Sequence, residues 1–215
     1  MGDSTSRAIT PVEIASQFPA RGFGPLEPLP GRAVHYAIDP TASRVEFSVR
    51  FLGVMTVQGV IPGLSGEIRY HTADPRCWSA VAELPMRGVD TRLRLRDAHL
   101  RSRDYLDVAR FPLAVFRTSA IERQARDLWV HGMLSLRDQT KPIVMRFAYP
   151  ERPRRDGNGR EVVETTGRVT LDRRQFGILG HDKKGFRFDP RDVTIGDLIA
   201  VSIHIRAIRI ESLAG

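Results

Sequence analysis

From Tyr36 onward the chain alternates apolar and polar residues with a period of two. In Arg44-Val45-Glu46-Phe47-Ser48-Val49-Arg50-Phe51 every second residue is apolar, and a strand places such a set on one face. The template returns at Glu67-Ile68-Arg69-Tyr70, at Val169-Thr170-Leu171 and in Ile199-Ala200-Val201-Ser202-Ile203-His204-Ile205-Arg206. Leu128–Leu136 and Ile143–Tyr149 are apolar on both faces over part of their length. Turn signals separate the runs: Pro62-Gly63, Asp74-Pro75, Asp156-Gly157-Asn158-Gly159 and Asp189-Pro190. Many short strands with few helical patterns between them predict a sandwich or a barrel rather than an alternating α/β sheet.

Two segments leave this period. Residues 1–34 read as an N-terminal arm: Thr10-Pro11-Val12-Glu13 forms a capping box for a short helix that ends at Pro19, and Arg21–Gly31 is rich in Gly and Pro. Asp97–Val108 carries Leu100, Tyr105, Leu106 and Val108. It predicts one or two helical turns across one end of the strand assembly, with Asp97 as N-cap. Residues 35–212 form the main domain, and a chain of 215 residues is within the range of a single all-β domain.

Composition narrows the chemistry. Cys77 is the only cysteine, so no intrachain disulfide or thiolate cluster forms, and it is expected to pack as a small apolar residue beside Trp78. The formal charge of +8 raises nucleic acid as a partner. The basic residues are mostly arginines spread along the chain, and Arg92, Arg94, Arg96, Arg101 and Arg103 interleave with Asp90, Asp97, Asp104 and Asp107. That pattern favours a salt-bridged surface over nucleic-acid binding, with an anionic membrane surface the better use of the excess charge. No apolar run approaches the ~20 residues that span a bilayer. No apolar stretch of a secretory leader follows Met1–Arg7, so the expected compartment is cytoplasmic, or periplasmic if a leader has been removed.

His99 stands among Arg96, Asp97, Asp104 and Asp107. A histidine oriented by a carboxylate serves as a general base; the same residues also describe a polar clamp. The clamp is preferred because no nucleophile or oxyanion donors accompany them. His131, His181 and His204 lack metal-ligand spacing, so no metal site is assigned. Arg173-Arg174 and Lys183-Lys184 suit either a phosphate headgroup or a solvated face, and Trp78 and Trp129 read as packing residues.

The block Arg96-Asp97-Ala98-His99-Leu100-Arg101-Ser102-Arg103-Asp104-Tyr105-Leu106-Asp107-Val108, followed by Phe111-Pro112 and Phe116, resembles the YceI-like polyisoprenoid-binding family. Supporting matches are Tyr36–Pro40 with Val45 and Phe47, Gly59 and Gly66, Thr91, His131–Leu136 with Thr140-Lys141-Pro142, Phe176-Gly177-Ile178 after Arg173-Arg174, and Ile195-Gly196-Asp197. The chain departs from the family pattern at Phe51 and at Asp138-Gln139. The resemblance implies an eight-stranded antiparallel lipocalin-like β-barrel with a deep apolar cavity for a polyprenyl lipid or a quinone tail such as that of ubiquinone. The Gly-x-Trp signature of true lipocalins is absent, so that likeness is architectural.

Alternation and resemblance together assign Phe47, Val49, Phe51, Ile68, Leu100, Phe116, Leu134, Phe176, Val201 and Ile203 to the ligand. No catalytic residue and no cofactor besides the lipid is assigned. The expected role is carrier, store or scavenger. Two alternatives stay open: a lipid-directed enzyme using His99 with a neighbouring aspartate, and an interaction or stress protein whose barrel is filled. Alternating strands describe a filled core as readily as a cavity, and a homodimer is open as well.

Overall fold

The computed structural model describes residues 33–51, 54–71, 74, 77–150, 152–179 and 195–210. The arm helix read at Thr10–Glu13, the turn at Asp189-Pro190, His181, Lys183 and Lys184 lie outside the described residues. Eleven strands follow in chain order: β1 (Ala33–Ile38), β2 (Arg44–Phe51), β3 (Met55–Pro62), β4 (Ser65–His71), β5 (Ser79–Pro85), β6 (Leu113–Gln124), β7 (Asp127–Leu136), β8 (Gln139–Ala148), β9 (Arg154–Arg155), β10 (Glu161–Asp172) and β11 (Ile195–Ile210). A helix, α1 (Arg94–Arg101), lies between β5 and β6. β1 begins at Ala33, so the last two residues read as arm are already strand, paired with His71 and Tyr70.

All pairings are antiparallel, and β11 meets β10 on one edge and both β1 and β2 on the other. The sheet therefore closes into an eight-stranded antiparallel β-barrel. The number eight follows from end-to-end joins. β1 and β2 run in line along β11, and β4 and β3 run in line beside them, so four segments make two long bent strands. The seam is between β8 and β10, which share only the pairs Phe147↔Gly167 and Arg146↔Arg168.

The bend between β1 and β2 shows how the sequence makes a corner. Residues 39–43 bulge out of the ladder and leave Arg206 of β11 without a strand partner on that side, its other edge being paired with Glu164. The buried Ser43 hydroxyl takes that place, accepting from the Arg206 amide at 2.9 Å and donating to the Arg206 carbonyl at 3.1 Å. The Asp39 amide donates to the same carbonyl at 2.8 Å. A side chain thus replaces a missing backbone pair, as a buried peptide group requires.

Alternating strand directions set the two ends. The β2–β3 and β7–β8 turns and the Met86–Pro112 segment with α1 lie at one end, the mouth. The β4–β5 and β6–β7 connections and the β9–β10 hairpin lie at the other, the far end. The Met86–Pro112 segment is stitched to β3 by paired backbone hydrogen bonds between Val60 and Asp90, both 2.9 Å. Below it, Met86, Val89 and Val108 pack with Leu84, Ile61 and Leu64 in a buried cluster.

The helix is present at the expected end, with one correction. It starts three residues before Asp97, with Leu93 at the N-cap and no side-chain cap. The Asp97 carboxylate is drawn instead to Thr91, whose amide and hydroxyl it accepts, so it ties the helix to the barrel wall. Cys77 also differs from expectation. It is exposed, while its neighbour Trp78 takes the buried position.

Candidate functional site

A cavity of about 1350 Å³ runs along the barrel axis between the two ends. Val45, Phe47, Val49 and Phe51 of β2 face it, as do Ile199, Val201, Ile203 and Ile205 of β11. These side chains point inward yet are only half-buried. Their inner surfaces look onto empty space, where a packed interior would cover them with neighbouring atoms. The lumen is therefore open, and the filled-barrel alternative does not describe it.

Of the residues assigned to the ligand, Phe47, Val49, Phe51, Ile68, Leu100, Phe116, Leu134, Val201 and Ile203 line this cavity. Phe176 is the exception. It is 1% exposed and packs with Tyr105 and Ile178 in a separate cluster at the mouth end. The cause is local: Asp172 accepts the Arg174 amide, opening a short 3₁₀ turn that leads the chain off the barrel wall before Phe176 is reached.

Polar groups along the lumen are mostly turned into the wall. The Thr118 hydroxyl accepts from the Ala80 amide at 2.9 Å, and the Thr165 hydroxyl donates to the Ala148 carbonyl at 2.7 Å. The Trp78 indole donates to the His71 carbonyl at 2.8 Å. Buried Arg173 donates to the Ile178, Ile195 and Gly196 carbonyls. Such satisfied groups present little to a polar ligand, and the remaining surface is aliphatic and aromatic.

Asp97 and Arg96 of the enzyme-like cluster are committed to structure. Asp97 is held by Thr91, and Arg96 donates to the Thr91 hydroxyl and carbonyl, both at 2.7 Å. Burial opposes ionisation of Asp97, but the Thr91 hydrogen bonds and the nearby Arg101 and Arg96 outweigh it and hold its carboxyl below the ordinary range. His99 lines the cavity with its ring edge-on to Tyr105 at 4.8 Å, and Asp97, one of the three aspartates near it in the sequence, is held by Thr91. Among the described residues no three His, Cys, Asp or Glu side chains gather as metal ligands would.

The alternation does not single out three glycines that shape the lumen. Gly59, Gly132 and Gly167 lie beneath the rings of Phe47, Phe116 and Phe147. A Cβ on any of them would sit 2.3–2.4 Å from a ring carbon. The rings thus lie flat against the wall, where a side chain opposite would push them into the bore. Gly167→Ala is expected to cost about 1–3 kcal/mol by overpacking, although alanine ordinarily stabilises a strand over glycine by about 0.5–1 kcal/mol. In a Phe147→Leu background the sign should reverse. Denaturant midpoints of the four proteins check this, and an additive pair of effects would show that the ring is not what the glycine accommodates.

Two further features were hidden in the sequence. Tyr36, Tyr70, Trp78 and Tyr149 form an aromatic floor toward the far end, with Tyr70 and Trp78 ring centres 4.6 Å apart and the Arg123 guanidinium 4.0 Å above Tyr149. They come from three separate parts of the chain, and no local pattern joins them. In β6 a bulge between Thr118 and Ala120 shifts the phase, so that Ile121 follows Phe116 and Thr118 into the lumen.

Comparison with known proteins agrees with this architecture. The model of the YceI-like domain matches residues 36–207. A UPF0312 protein of Vibrio cholerae is 30% identical over 154 residues, covering 70% of this chain and 81% of the relative. A UPF0312 protein of Shewanella putrefaciens is 29% identical over 160 residues, covering 73% and 83%. Among solved structures, Burkholderia cenocepacia BcnA superposes with a TM-score of 0.66 at 16% identity, covering 79% of this chain and 98% of its own. A polyisoprenoid binding domain from Saccharophagus degradans superposes with a TM-score of 0.61 at 15% identity, covering 82% and 99%. At such identities the structures show a shared fold, while the match over residues 36–207 places the chain in a family: it belongs to the YceI-like domain family.

Proposed function

We propose that this protein binds a long apolar lipid of the isoprenoid class in its barrel, as carrier, store or scavenger. The observation that carries the reading is the open, apolar lumen of about 1350 Å³. Pockets for small metabolites and drugs hold about 300–1,000 Å³ and depend on a few convergent polar groups. Here most lumenal polar groups are spent on the wall. At roughly 30 Å³ per chain carbon, the share of one water in the liquid, the space admits on the order of 40 carbons. Burial is worth about 0.8 kcal/mol per CH₂. Ten buried carbons therefore supply about 8 kcal/mol before ordering costs, which is micromolar in order. The Saccharophagus degradans neighbour, named for polyisoprenoid binding, supports the lipid class. Asp97, one of the carboxylates near His99 in the sequence, is held by Thr91, and the reading is one of binding.

The test is organic extraction of the purified protein followed by mass spectrometry, with uptake of added polyprenol or ubiquinone measured alongside. A stoichiometric isoprenoid, or saturable uptake, is expected. Finding no co-purified lipid and no uptake would overturn the reading. Val201→Arg should abolish uptake, because it sets a charge against the chain halfway along the lumen.

A further inference from the structure

The described residues leave ten large apolar side chains exposed, and most of them gather at one end. Val54 and Met55 occupy the β2–β3 tip, at 87% and 54% exposure, and Leu93 and Leu95 open α1, at 52% and 84%. Leu113 and Leu198 are exposed at the same end, where β6 and β11 begin. Met55, Leu93 and Leu95 also line the cavity, so the apolar rim is continuous with the lumen. An exposed apolar patch at an opening marks a contact surface.

Exposed arginines border this rim. Arg50, Arg92 and Arg94 are exposed, and among the described residues none of them makes an ion pair. Carboxylates nearby are engaged: Asp97 by Thr91, Asp90 by the Arg92 amide at 2.7 Å, and Asp197 by Arg173 and Arg174 at 3.1 and 2.8 Å. The far end is different. Its charges largely neutralise one another, through Arg209–Glu161, Arg206–Asp156, Arg160–Asp156 and Arg154–Glu164. Arg126 and Arg152 stand outside those pairs, and Ile210 is the large apolar side chain exposed there.

We infer that the mouth of the barrel docks on an anionic bilayer, with Val54, Met55, Leu93 and Leu95 entering the headgroup boundary while Arg50, Arg92 and Arg94 meet lipid phosphates. A bilayer supplies both kinds of contact in one plane, apolar below and anionic above. It also holds the class of ligand proposed for the lumen, and this inference rests on that reading for its purpose. A lipid chain then passes from leaflet to lumen without crossing water, because the rim that inserts is part of the cavity wall.

The test is co-sedimentation of the full chain with phosphatidylcholine vesicles, with and without phosphatidylglycerol. Binding is expected only where phosphatidylglycerol is present, and it should fall with salt as the arginine contacts are screened. An arginine near an anionic surface is worth about a fivefold change in partition, so Arg92→Ser with Arg94→Ser should lower binding about 25-fold. Leu93→Ser with Leu95→Ser should lower it by about tenfold or more. Arg126→Ser with Arg152→Ser, at the far end, removes the same charge and should change it far less. An equal loss from the far-end pair, or no binding of the parent protein to either vesicle, overturns the docking surface. The proposed ligand is tested apart, by equilibrium uptake of polyprenol from detergent: there the Arg92→Ser, Arg94→Ser variant should match the parent, and it should lag only when the lipid is offered in vesicles. A parent that sediments with vesicles but takes up no polyprenol would leave docking intact and remove the ligand.

Discussion

Phe47→Asp should lower the unfolding free energy by about 3–4 kcal/mol and abolish uptake of an apolar chain. Truncating a core phenylalanine costs about 3–5 kcal/mol, reduced here because Phe47 is half-buried and borders the open lumen. The carboxylate adds a penalty, since it faces an apolar cavity with no partner, and its pKa should rise as it escapes the charge. The ring also covers Gly59, so its loss uncovers the wall on the adjacent strand. Arg50 lies three residues further along the same strand, on the outer face. Arg50→Ala should change stability by less than about 0.5 kcal/mol. Denaturant unfolding with an uptake measurement separates the two, and equal midpoints would mean that the facing of β2 is inverted.

Asp97→Ala should cost about 3 kcal/mol, from the other class of contact that holds the site. Asp97 is 5% exposed and accepts both the amide and the hydroxyl of Thr91, with Arg96 and Arg101 nearby. Removing it strands two donors in the wall and leaves cations short of a countercharge, the costly way to break a buried polar arrangement. The same residue makes stability depend on pH. Its folded pKa lies below the unfolded one, so the unfolded state binds the proton first. Its contribution is full above the unfolded value of about 3.9 and is lost as pH falls through the folded value. Acid unfolding of the parent and of Asp97→Asn should therefore converge at low pH and separate above about pH 4. Parallel curves would show that Asp97 is not the group titrating.

Much of this site was legible before any coordinates. The lining of β2 and β11 follows from alternation, because a strand has no other way to arrange Val45, Phe47, Val49 and Phe51 than on one face. Leu100, Phe116 and Leu134 came with the resemblance and do reach the lumen. Phe176 also came with the resemblance but does not line the lumen, because a 3₁₀ turn leads it off the wall. Asp97 looked like a cap because a short acidic residue before an apolar run has that appearance, whereas Thr91 competes for its carboxylate across the start of the helix.

The all-β class and the apolar faces of β2 and β11 were thus legible in the sequence alone, since period-two alternation and turn residues are local properties that each segment expresses unaided. Tertiary structure decided whether the barrel was filled or open, because that depends on the volume left among side chains brought from all eight strands. It also decided that Phe47, Phe116 and Phe147 lie flat on glycines of neighbouring strands, which leaves the bore wide. And it decided that one end carries both the apolar rim and arginines outside ion pairs, since the β2–β3 tip and α1 share that end only once β3 is stitched through Val60 to Asp90 in the segment before the helix.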